Sequence, residues 1–309
     1  MGKKISNIVF TKNRPLQLEG YLESLYKHLS CELIQTYILY KPELFDTEYR
    51  QVFSRYPDCI VVRENVFNND LFDILSQIKT EFILFGVDDV VYFDSVNFDV
   101  IEETFQKYAA DIFGFSLRLS RQNIGKNNEP ISEVNVAGQI LYRINWPQGR
   151  TPNTRYPFEL CATIYCTELI GEVLRGSRNG NRLLERIFAP DSPVTGVVGR
   201  LFSRHSVLKR FGYFYNPNSL ESWNCRWCQR NAAKLPGWLY FQKNCASAIQ
   251  VNMVNISTKN NWDDSEKYTI ESLNEKYKQG YRLDTDYITK NKPTATHCGQ
   301  EHFNLVKIQ

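Results

Sequence analysis

The sequence predicts an α/β fold, with a mixed, largely parallel sheet flanked by helices in a single large domain. Strand and helix patterns alternate over the first 115 residues, which is typical of βαβ units. Phe82–Val87 is almost entirely apolar, as expected for a strand buried on both faces of a parallel sheet. With 309 residues, the chain is also long enough to bury a large core.

The first strand and the first helix follow from residue spacing. Residues 5–11 are predicted as a strand, and Pro15 suits the first position of a helix, where a backbone N–H has no partner within the helix. In this helix, apolar side chains recur at steps of three or four residues and form one stripe that faces a sheet. The stripe consists of Leu18, Leu22, Leu25 and Leu29.

Three more strands complete the part of the sheet that is predicted to be parallel. Residues 33–40 form the second strand, and residues 59–63 form the third. A helix around residues 71–78 leads into the fourth strand, Phe82–Val87, which is followed directly by two aspartates.

The pattern changes from about residue 111. Residues 111–119 and 137–144 have strand patterns, whereas residues 160–174 fit a strand or a helix. Ser219 is expected to cap a helix that includes Ala232. Two later elements precede a polar C-terminal tail, namely a strand over residues 246–254 and a helix over residues 271–277.

Composition and charge argue against several classes of protein. The net charge is +3 and no cluster of Lys and Arg stands out, so no nucleic-acid partner is expected. No window approaches the roughly 18 consecutive apolar residues of a transmembrane segment. Eight cysteines without a leader sequence favour reduced thiols in a cytoplasmic protein. Cys225 and Cys228 lie three residues apart without a second pair, which favours two buried thiols over a metal site.

Polar side chains are expected at the carboxyl ends of the parallel strands, where such sheets bind ligands. They are Thr11, Asn13, Arg14, Glu64, Asn65, Asp88 and Asp89. Adjacent carboxylates need a neutralising partner, and Mg²⁺ or Mn²⁺ with oxygen ligands suits them. Arg is suited to phosphate, and Asn and Glu to the edges of a base or ribose. This edge therefore fits a nucleotide diphosphate whose departure a metal assists.

Five of these residues also have a plainer structural interpretation. Asp88 and Asp89 fit a solvated turn, and Arg14 fits a surface salt bridge. Thr11 and Asn13 fit ordinary turn positions. The ligand interpretation is favoured because all of these residues are expected at one edge of the sheet.

Two glycine-rich nucleotide-binding motifs, G-x-G-x-x-G and G-x-x-x-x-G-K-[ST], are absent from the chain. Their absence argues against a dinucleotide-dependent oxidoreductase and against a P-loop NTPase. A nucleotide sugar bridged by a metal fits the residues better.

Four stretches resemble one known family. Residues 8–15, Ile-Val-Phe-Thr-Lys-Asn-Arg-Pro, resemble the first-strand signature of the GT-A-fold glycosyltransferases, similar to family 2. Residues 82–93 resemble the strand that ends in the metal-binding Asp motif of that family. Residues 216–221 resemble the turn before its acceptor-side helix, and residues 272–280 a late helix. The likeness covers most of the chain loosely and the first hundred residues best.

The resemblance implies a GT-A-like, Rossmann-related mixed sheet and transfer of a sugar from a nucleotide-diphosphate donor to a hydroxyl acceptor, in polysaccharide or glycan synthesis. Residues 1–115 would form the donor-binding half, and residues 116–309 the acceptor-binding half with a C-terminal extension, in one continuous domain. The Asp-x-Asp spacing of the family is absent. By resemblance, Asp88 would contact the donor and Asp89 the Mn²⁺ or Mg²⁺ ion, with His297 as a late metal ligand or an ordinary residue of the tail.

Transfer with inversion needs a base near the acceptor hydroxyl. Glu221 is the first candidate and Asp191 the alternative. Glu221 would equally suit the first turn of a helix, where a carboxylate is favourable to the helix dipole. A retaining enzyme would not need this base in the same place.

Two alternative functions remain open. A sugar nucleotidyltransferase would share the carboxylates and the metal, but it would be expected to carry a Gly-rich basic loop after the first strand, and residues 12–15 contain no Gly. A non-catalytic relative would bind only a glycan.

Overall fold

The computed structural model describes residues 2–124, 129–177, 214–235, 237–252 and 266–308. Within these residues the chain is a mixed α/β protein whose large central sheet is flanked by helices, which confirms the predicted fold class. Strands and helices are numbered below in chain order over the described residues.

The first part of the chain alternates strands with helices. Its strands are β1 (Ile5–Lys12), β2 (Ile34–Lys41), β3 (Ile60–Arg63), β4 (Phe82–Val87) and β5 (Val90–Tyr92). Its helices are α1 (Pro15–His28), α2 (Asp46–Arg55), α3 (Phe67–Gln77) and α4 (Phe98–Tyr108). The four predicted strands are confirmed to within one residue at each end, whereas α2 was not predicted.

The second part of the chain contains shorter strands. They are β6 (Gly114–Ser116), β7 (Ile131–Val136), β8 (Gln139–Asn145), β9 (Thr163–Cys166), β10 (Gly237–Tyr240), β11 (Ala246–Ile249), β12 (Tyr281–Leu283), β13 (His297–Cys298) and β14 (Leu305–Lys307). The helices are α5 (Arg121–Ile124), α6 (Thr167–Ser177), α7 (Pro217–Arg230), α8 (Ile270–Lys278) and α9 (Thr285–Lys290).

The main sheet has nine strands in the order β3-β2-β1-β4-β9-β6-β10-β8-β7. The four strands from β3 to β4 are parallel, so their carboxyl ends lie at one edge as predicted. β9 runs antiparallel to both β4 and β6, and it joins the two parts of the chain in one sheet. A second sheet has the order β13-β11-β5. It places the residues after β4 beside two segments from late in the chain.

The core lies on both faces of the main sheet. One apolar cluster packs α1 and α4 against one face, and a second packs α3, α6 and α7 against the other. The predicted stripe of α1 is confirmed, because its four leucines are almost completely buried. Cys225 and Cys228 are both buried on α7, as predicted for two thiols of the core. None of the described helices is long and apolar enough to cross a membrane.

Several element predictions were wrong in detail. Residues 160–174, which were left open between a strand and a helix, contain both β9 and the start of α6. The cap of α7 is Asn216, whose side chain accepts a hydrogen bond from the backbone N–H of Ser219 (2.8 Å). Ser219 returns the bond by accepting from the N–H of Asn216 (3.1 Å), so the two residues form a capping box. The helix ends at Arg230, which leaves Ala232 outside it.

The C-terminal segment was predicted to be a polar tail, but it packs against α1. Gly20 of α1 lies directly under β12, because a Cβ atom at this position would be 2.6 Å from Cδ2 of Leu283. Beside this contact, the buried carboxylate of Glu19 accepts hydrogen bonds from Nε of Arg282 (3.0 Å), the hydroxyl of Tyr277 (2.6 Å) and Nη1 of Arg55 (2.6 Å). Glu19 therefore ties α1 to the last part of the chain.

Replacing Glu19 by Ala is expected to destabilise the protein strongly. The side chain of Arg282 is only 7% exposed, and the substitution would leave its charge buried without this carboxylate. Loss of one partner of a buried pair typically costs about 3–5 kcal/mol. Urea denaturation should show a lower midpoint with an unchanged slope. Asp286→Ala, which removes an exposed carboxylate of the same segment, should leave the midpoint in place; an equal drop in both variants would contradict the role of Glu19.

Candidate active site

Asp88 directly follows β4, and both oxygens of its carboxylate accept hydrogen bonds from other residues of the protein. Asp88 is only 4% exposed. Its Oδ1 accepts a hydrogen bond from Nη1 of Arg14 (2.9 Å), and its Oδ2 accepts one from Oγ1 of Thr11 (2.8 Å). Its backbone N–H donates to the carbonyl of Phe10 (3.2 Å), which prolongs the pairing of β4 with β1. Asp88 therefore positions the end of β1 and the guanidinium of Arg14.

Asp89 is more accessible than Asp88, and its carboxylate has fewer contacts. Its side chain is 16% exposed, and its contact with Nη1 of Arg14 is longer, at 3.5 Å. Burial raises the pKa of Asp89 to about 6; the charge of Arg14 opposes this, while that of Asp88 adds to it. The carbonyl of Asp89 accepts a hydrogen bond from the N–H of Ile249 (2.7 Å), which fixes the backbone. The structure thus holds Asp89 in place with carboxylate oxygens available to a ligand.

Arg14 lies at the centre of the strand ends. The backbone N–H of Arg14 donates to the hydroxyl of Tyr49 (2.9 Å), which lies 2.7 Å from Oγ1 of Thr11. Burial lowers the pKa of the Arg14 guanidinium, but Asp88 and Asp89 outweigh burial and the net direction is upward. Its Nε is buried without a hydrogen-bond partner among the described residues. The contacts of Tyr49 were not predicted from the sequence, because no helix pattern was recognised in α2, the helix that carries this residue.

The other predicted donor-binding residues lie along the same edge. Glu64 follows β3, and its Oε1 accepts from Nζ of Lys41 at the end of β2 (3.0 Å). Asn65 is exposed. Asn13 has a positive φ of 54°, and its Oδ1 accepts from the N–H of Leu44 (2.9 Å). Within the described residues, no hydrogen bond joins these three residues to the aspartates, so their donor-binding role stays a prediction.

Glu221, the first candidate for the base, is the fifth residue of α7 and lies beyond its first turn, so the helix-dipole interpretation does not apply. Its Oε1 accepts a hydrogen bond from the N–H of Leu160 (3.2 Å). Burial raises the pKa of Glu221 to about 7, with a further upward contribution from Glu159, while Arg118 and Tyr156 oppose it. A carboxylate with this pKa exchanges protons near neutral pH, as a general base should.

Arg118 and Glu159 form a buried ion pair that sequence reasoning missed. Each side chain is 7% exposed, and Nη2 of Arg118 donates to Oε2 of Glu159. Oγ of Ser116 donates to Oε1 of Glu159 (3.2 Å), and Thr163 donates to the same oxygen. The charge of Arg118 lowers the pKa of both Asp89 and Glu221. The metal-ligand candidate and the base candidate therefore lie around one buried cation.

His297 lies on β13 against the other side of this guanidinium. Nη1 of Arg118 donates to Nε2 of His297 (3.0 Å). Burial, and then the charge of Arg118, lower the pKa of His297 to about 3, so the ring is neutral. A guanidinium beside the ring disfavours a second cation there, so the metal-ligand role of His297 stays a prediction. Asp191, the alternative base, lies outside the described residues.

The second sheet explains why these distant residues meet. Ala248 of β11 pairs with Val90 of β5 on one side and with His297 on the other. β5 begins directly after Asp89, so β11 connects the end of β4 with β13. The second sheet therefore brings Asp89, next to Arg14, close to His297, which contacts Arg118.

Comparisons with known proteins complete the description. No family model matches the chain. The bifunctional glycosyltransferase pgtA of Dictyostelium discoideum is 23% identical over 196 residues, a match that covers 55% of this chain and 25% of that protein. This chain thus spans about a quarter of the length of the curated relative.

Two solved structures of S. aureus TarS are also similar. One has a TM-score of 0.40 and 16% identity, covering 57% of this chain and 30% of that one. The other, TarS 1–349 in complex with UDP, has a TM-score of 0.39 and 18% identity, with coverage of 56% and 48%.

The curated relative confirms the resemblance that the sequence motifs indicated. The chain is therefore similar in sequence to a glycosyltransferase, and its mixed α/β architecture is the one that the GT-A resemblance implied.

Proposed function

We propose that the protein transfers a sugar, with inversion, from a nucleotide-diphosphate donor to a hydroxyl of a glycan acceptor. The observation that carries this proposal is the edge of the sheet after β4, where Nη1 of Arg14 contacts Asp88 (2.9 Å) and Asp89 (3.5 Å). The charge of Arg118 acts on the pKa of both Asp89 and Glu221, which supports a shared site. Group transfer needs a donor-binding group and a base close to one reacting centre. In this proposal Asp89 and Arg14 supply the donor-binding groups and Glu221 supplies the base, from the two proposed halves of the chain.

The donor side would be built on Asp89 and Arg14. A hard cation such as Mn²⁺ or Mg²⁺ is commonly held by one or two carboxylates together with substrate phosphates and water. Asp89 fits this role because its side chain is partly exposed and because burial, followed by the charge of Asp88, raises its pKa, so a bound cation would stabilise the ionised form. When bound, the cation would neutralise negative charge on the departing nucleoside diphosphate. Asp88 would keep Arg14 directed at the same phosphates.

The acceptor side would be built on Glu221. Its carboxylate takes the proton of the acceptor hydroxyl while that oxygen attacks the anomeric carbon. The bond from this carbon to the diphosphate breaks, and the diphosphate leaves with the electron pair. The N–H of Leu160 would hold the carboxylate of Glu221 in a fixed orientation. A polysaccharide acceptor and a cytoplasmic location stay predictions.

The test is release of nucleotide from a panel of activated sugars. Purified protein is incubated with UDP-, GDP- and dTDP-sugars, and with a CMP-sugar as a monophosphate comparison, in the presence of Mn²⁺ or EDTA. One diphosphate donor should be turned over with Mn²⁺, and the matching diphosphate should raise the melting temperature more when Mn²⁺ is present. No response to any nucleotide would contradict the proposal.

Two further assays on the same purified protein distinguish the two alternatives. Release of pyrophosphate from a nucleoside triphosphate and a sugar phosphate would indicate a sugar nucleotidyltransferase. Binding of a glycan without turnover of any donor would indicate a non-catalytic relative.

A further inference from the structure

Three side chains with different metal-ligating atoms converge at the end of β13. Cys298, Glu301 and His302 each offer one ligand atom, and these atoms all lie within 4.8 Å of one another. They belong to the five-residue run Cys-Gly-Gln-Glu-His, in which a short 3-10 helix, Gln300–His302, turns the chain after the strand. None of the three has a part in the proposed transfer reaction.

The backbone around these residues is fixed. The N–H of Gln250 donates to the carbonyl of Cys298 (2.9 Å), which holds the end of β13 against β11. The N–H of His302 donates to the carbonyl of Gly299 (3.3 Å). Oε1 of Glu301 accepts from the N–H of Gly299 (2.9 Å), which leaves Oε2 of this exposed carboxylate for another partner. A preformed backbone lowers the entropy cost of bringing three ligands to one ion.

A second observation points to a missing partner. Nδ1 of His302 is buried and has no hydrogen-bond partner among the described residues. Buried polar atoms are nearly always paired with protein or with an unseen water or ion, so this atom calls for an explanation. A cation bound to the Nδ1 lone pair provides one.

The chemistry of the three atoms selects the type of cation. Thiolate, imidazole and carboxylate are the ligands of zinc, whereas Mn²⁺ and Mg²⁺ prefer oxygen. Usual zinc–ligand distances place the ligand atoms of a tetrahedral site roughly 3.4–3.6 Å apart. The observed limit of 4.8 Å is close enough for side-chain rotations to close the site.

We propose that Cys298, Glu301 and His302 form a site for Zn²⁺ that is separate from the cation site at Asp89. Three protein ligands leave the fourth tetrahedral position open to water. Binding forms a zinc–sulfur bond and releases the thiol proton of Cys298 to solvent. Because the metal displaces this proton, the affinity should increase with pH.

The experiment is a titration of metal-stripped, full-length protein with ZnCl₂, followed by calorimetry in buffers of different ionisation enthalpy. One equivalent of zinc should bind with release of a proton, and Co²⁺ in its place should give a thiolate-to-cobalt absorption band. His302→Gln and Glu301→Gln change positions that are not fully buried. Loss of a residue that only supports a metal ligand typically weakens metal affinity roughly 10- to 100-fold, so loss of either ligand should weaken zinc binding at least as much. Cys298→Ser should abolish the cobalt band.

The controls separate this site from other thiols and from the proposed transfer site. Cys245→Ser removes another buried cysteine and should leave zinc binding unchanged. Asp89→Asn should retain zinc binding, and Mn²⁺ should not displace the zinc. Zinc binding that survives both His302→Gln and Cys298→Ser, or no binding to the wild type, would overturn the proposal. The result does not depend on whether the protein transfers sugar.

Discussion

Replacing Asp89 by Asn is expected to abolish sugar transfer while the protein remains folded. The substitution keeps the shape of the side chain but removes the charge that binds a divalent cation. A metal acting as a Lewis acid contributes several kcal/mol to charge stabilisation, and each 1.4 kcal/mol is about tenfold in rate. A loss of roughly 10³-fold in donor turnover at saturating Mn²⁺ is therefore expected. Release of nucleoside diphosphate, measured together with the melting temperature, checks both parts of the expectation.

Asp88→Asn provides the contrast, because the two neighbouring carboxylates have different surroundings. Asp88 is the closest anionic partner of the buried Arg14, so its loss should lower stability by about 3–5 kcal/mol. Asp94→Asn removes a nearby carboxylate that pairs with Lys292 at the surface. This variant should change neither donor turnover nor stability. An Asp89→Asn variant that turns over donor within a few-fold of the wild type would disprove the proposed metal-ligand role.

Glu221→Gln is expected to lower the transfer rate by roughly 10²- to 10⁴-fold, the usual contribution of a general base. Because the base must be ionised and the pKa of Glu221 is raised to about 7, the wild-type rate should rise with pH through about 7 and then level off. The variant should lack this rise. The measurement is a profile of kcat/KM for the acceptor against pH.

Stability provides an independent check on the same residue. The pKa of Glu221 is higher in the folded protein than its ordinary value, so the folded state binds more protons between those two pH values. Stability therefore falls as pH rises through this interval, and Glu221→Gln removes that contribution. The variant should match or exceed the wild type in melting temperature at pH 8. The control is Glu168→Gln, at an exposed first-turn position of α6, which should change neither the pH profile of kcat/KM nor the melting temperature. Unchanged activity in Glu221→Gln would show that Glu221 has no catalytic role.

The edge of the sheet that carries Asp88 and Arg14 could be predicted from sequence because its signals are local. The run of apolar residues in β4 ends directly at Asp88, and Pro15 marks the start of α1 just after β1. Parallel strands bring such ends to one edge, so the pairing of Arg14 with Asp88 follows from two short segments. Glu221 was found because it lies beside a recognisable turn and helix cap.

The centre of the site could not be predicted, because it depends on contacts between distant segments. Arg118 meets Glu159 and His297, which are 41 and 179 residues away along the chain. The alternating pattern around Arg118 indicates a strand but does not identify what its polar side chain faces. The tail was misjudged for a similar reason, since Arg282 is buried only because Glu19 lies 263 residues earlier.

The three-stranded sheet centred on β11 also has a consequence for biosynthesis. Residues near the start of a chain fold first on the ribosome, and β1 to β4 can pair as soon as residue 87 has emerged. The backbone that holds Asp89 needs β11, and β11 in turn needs β13, which ends at residue 298. The nascent protein can therefore assemble a stable platform early, yet the corner around Asp89 is completed only after residue 298 has emerged.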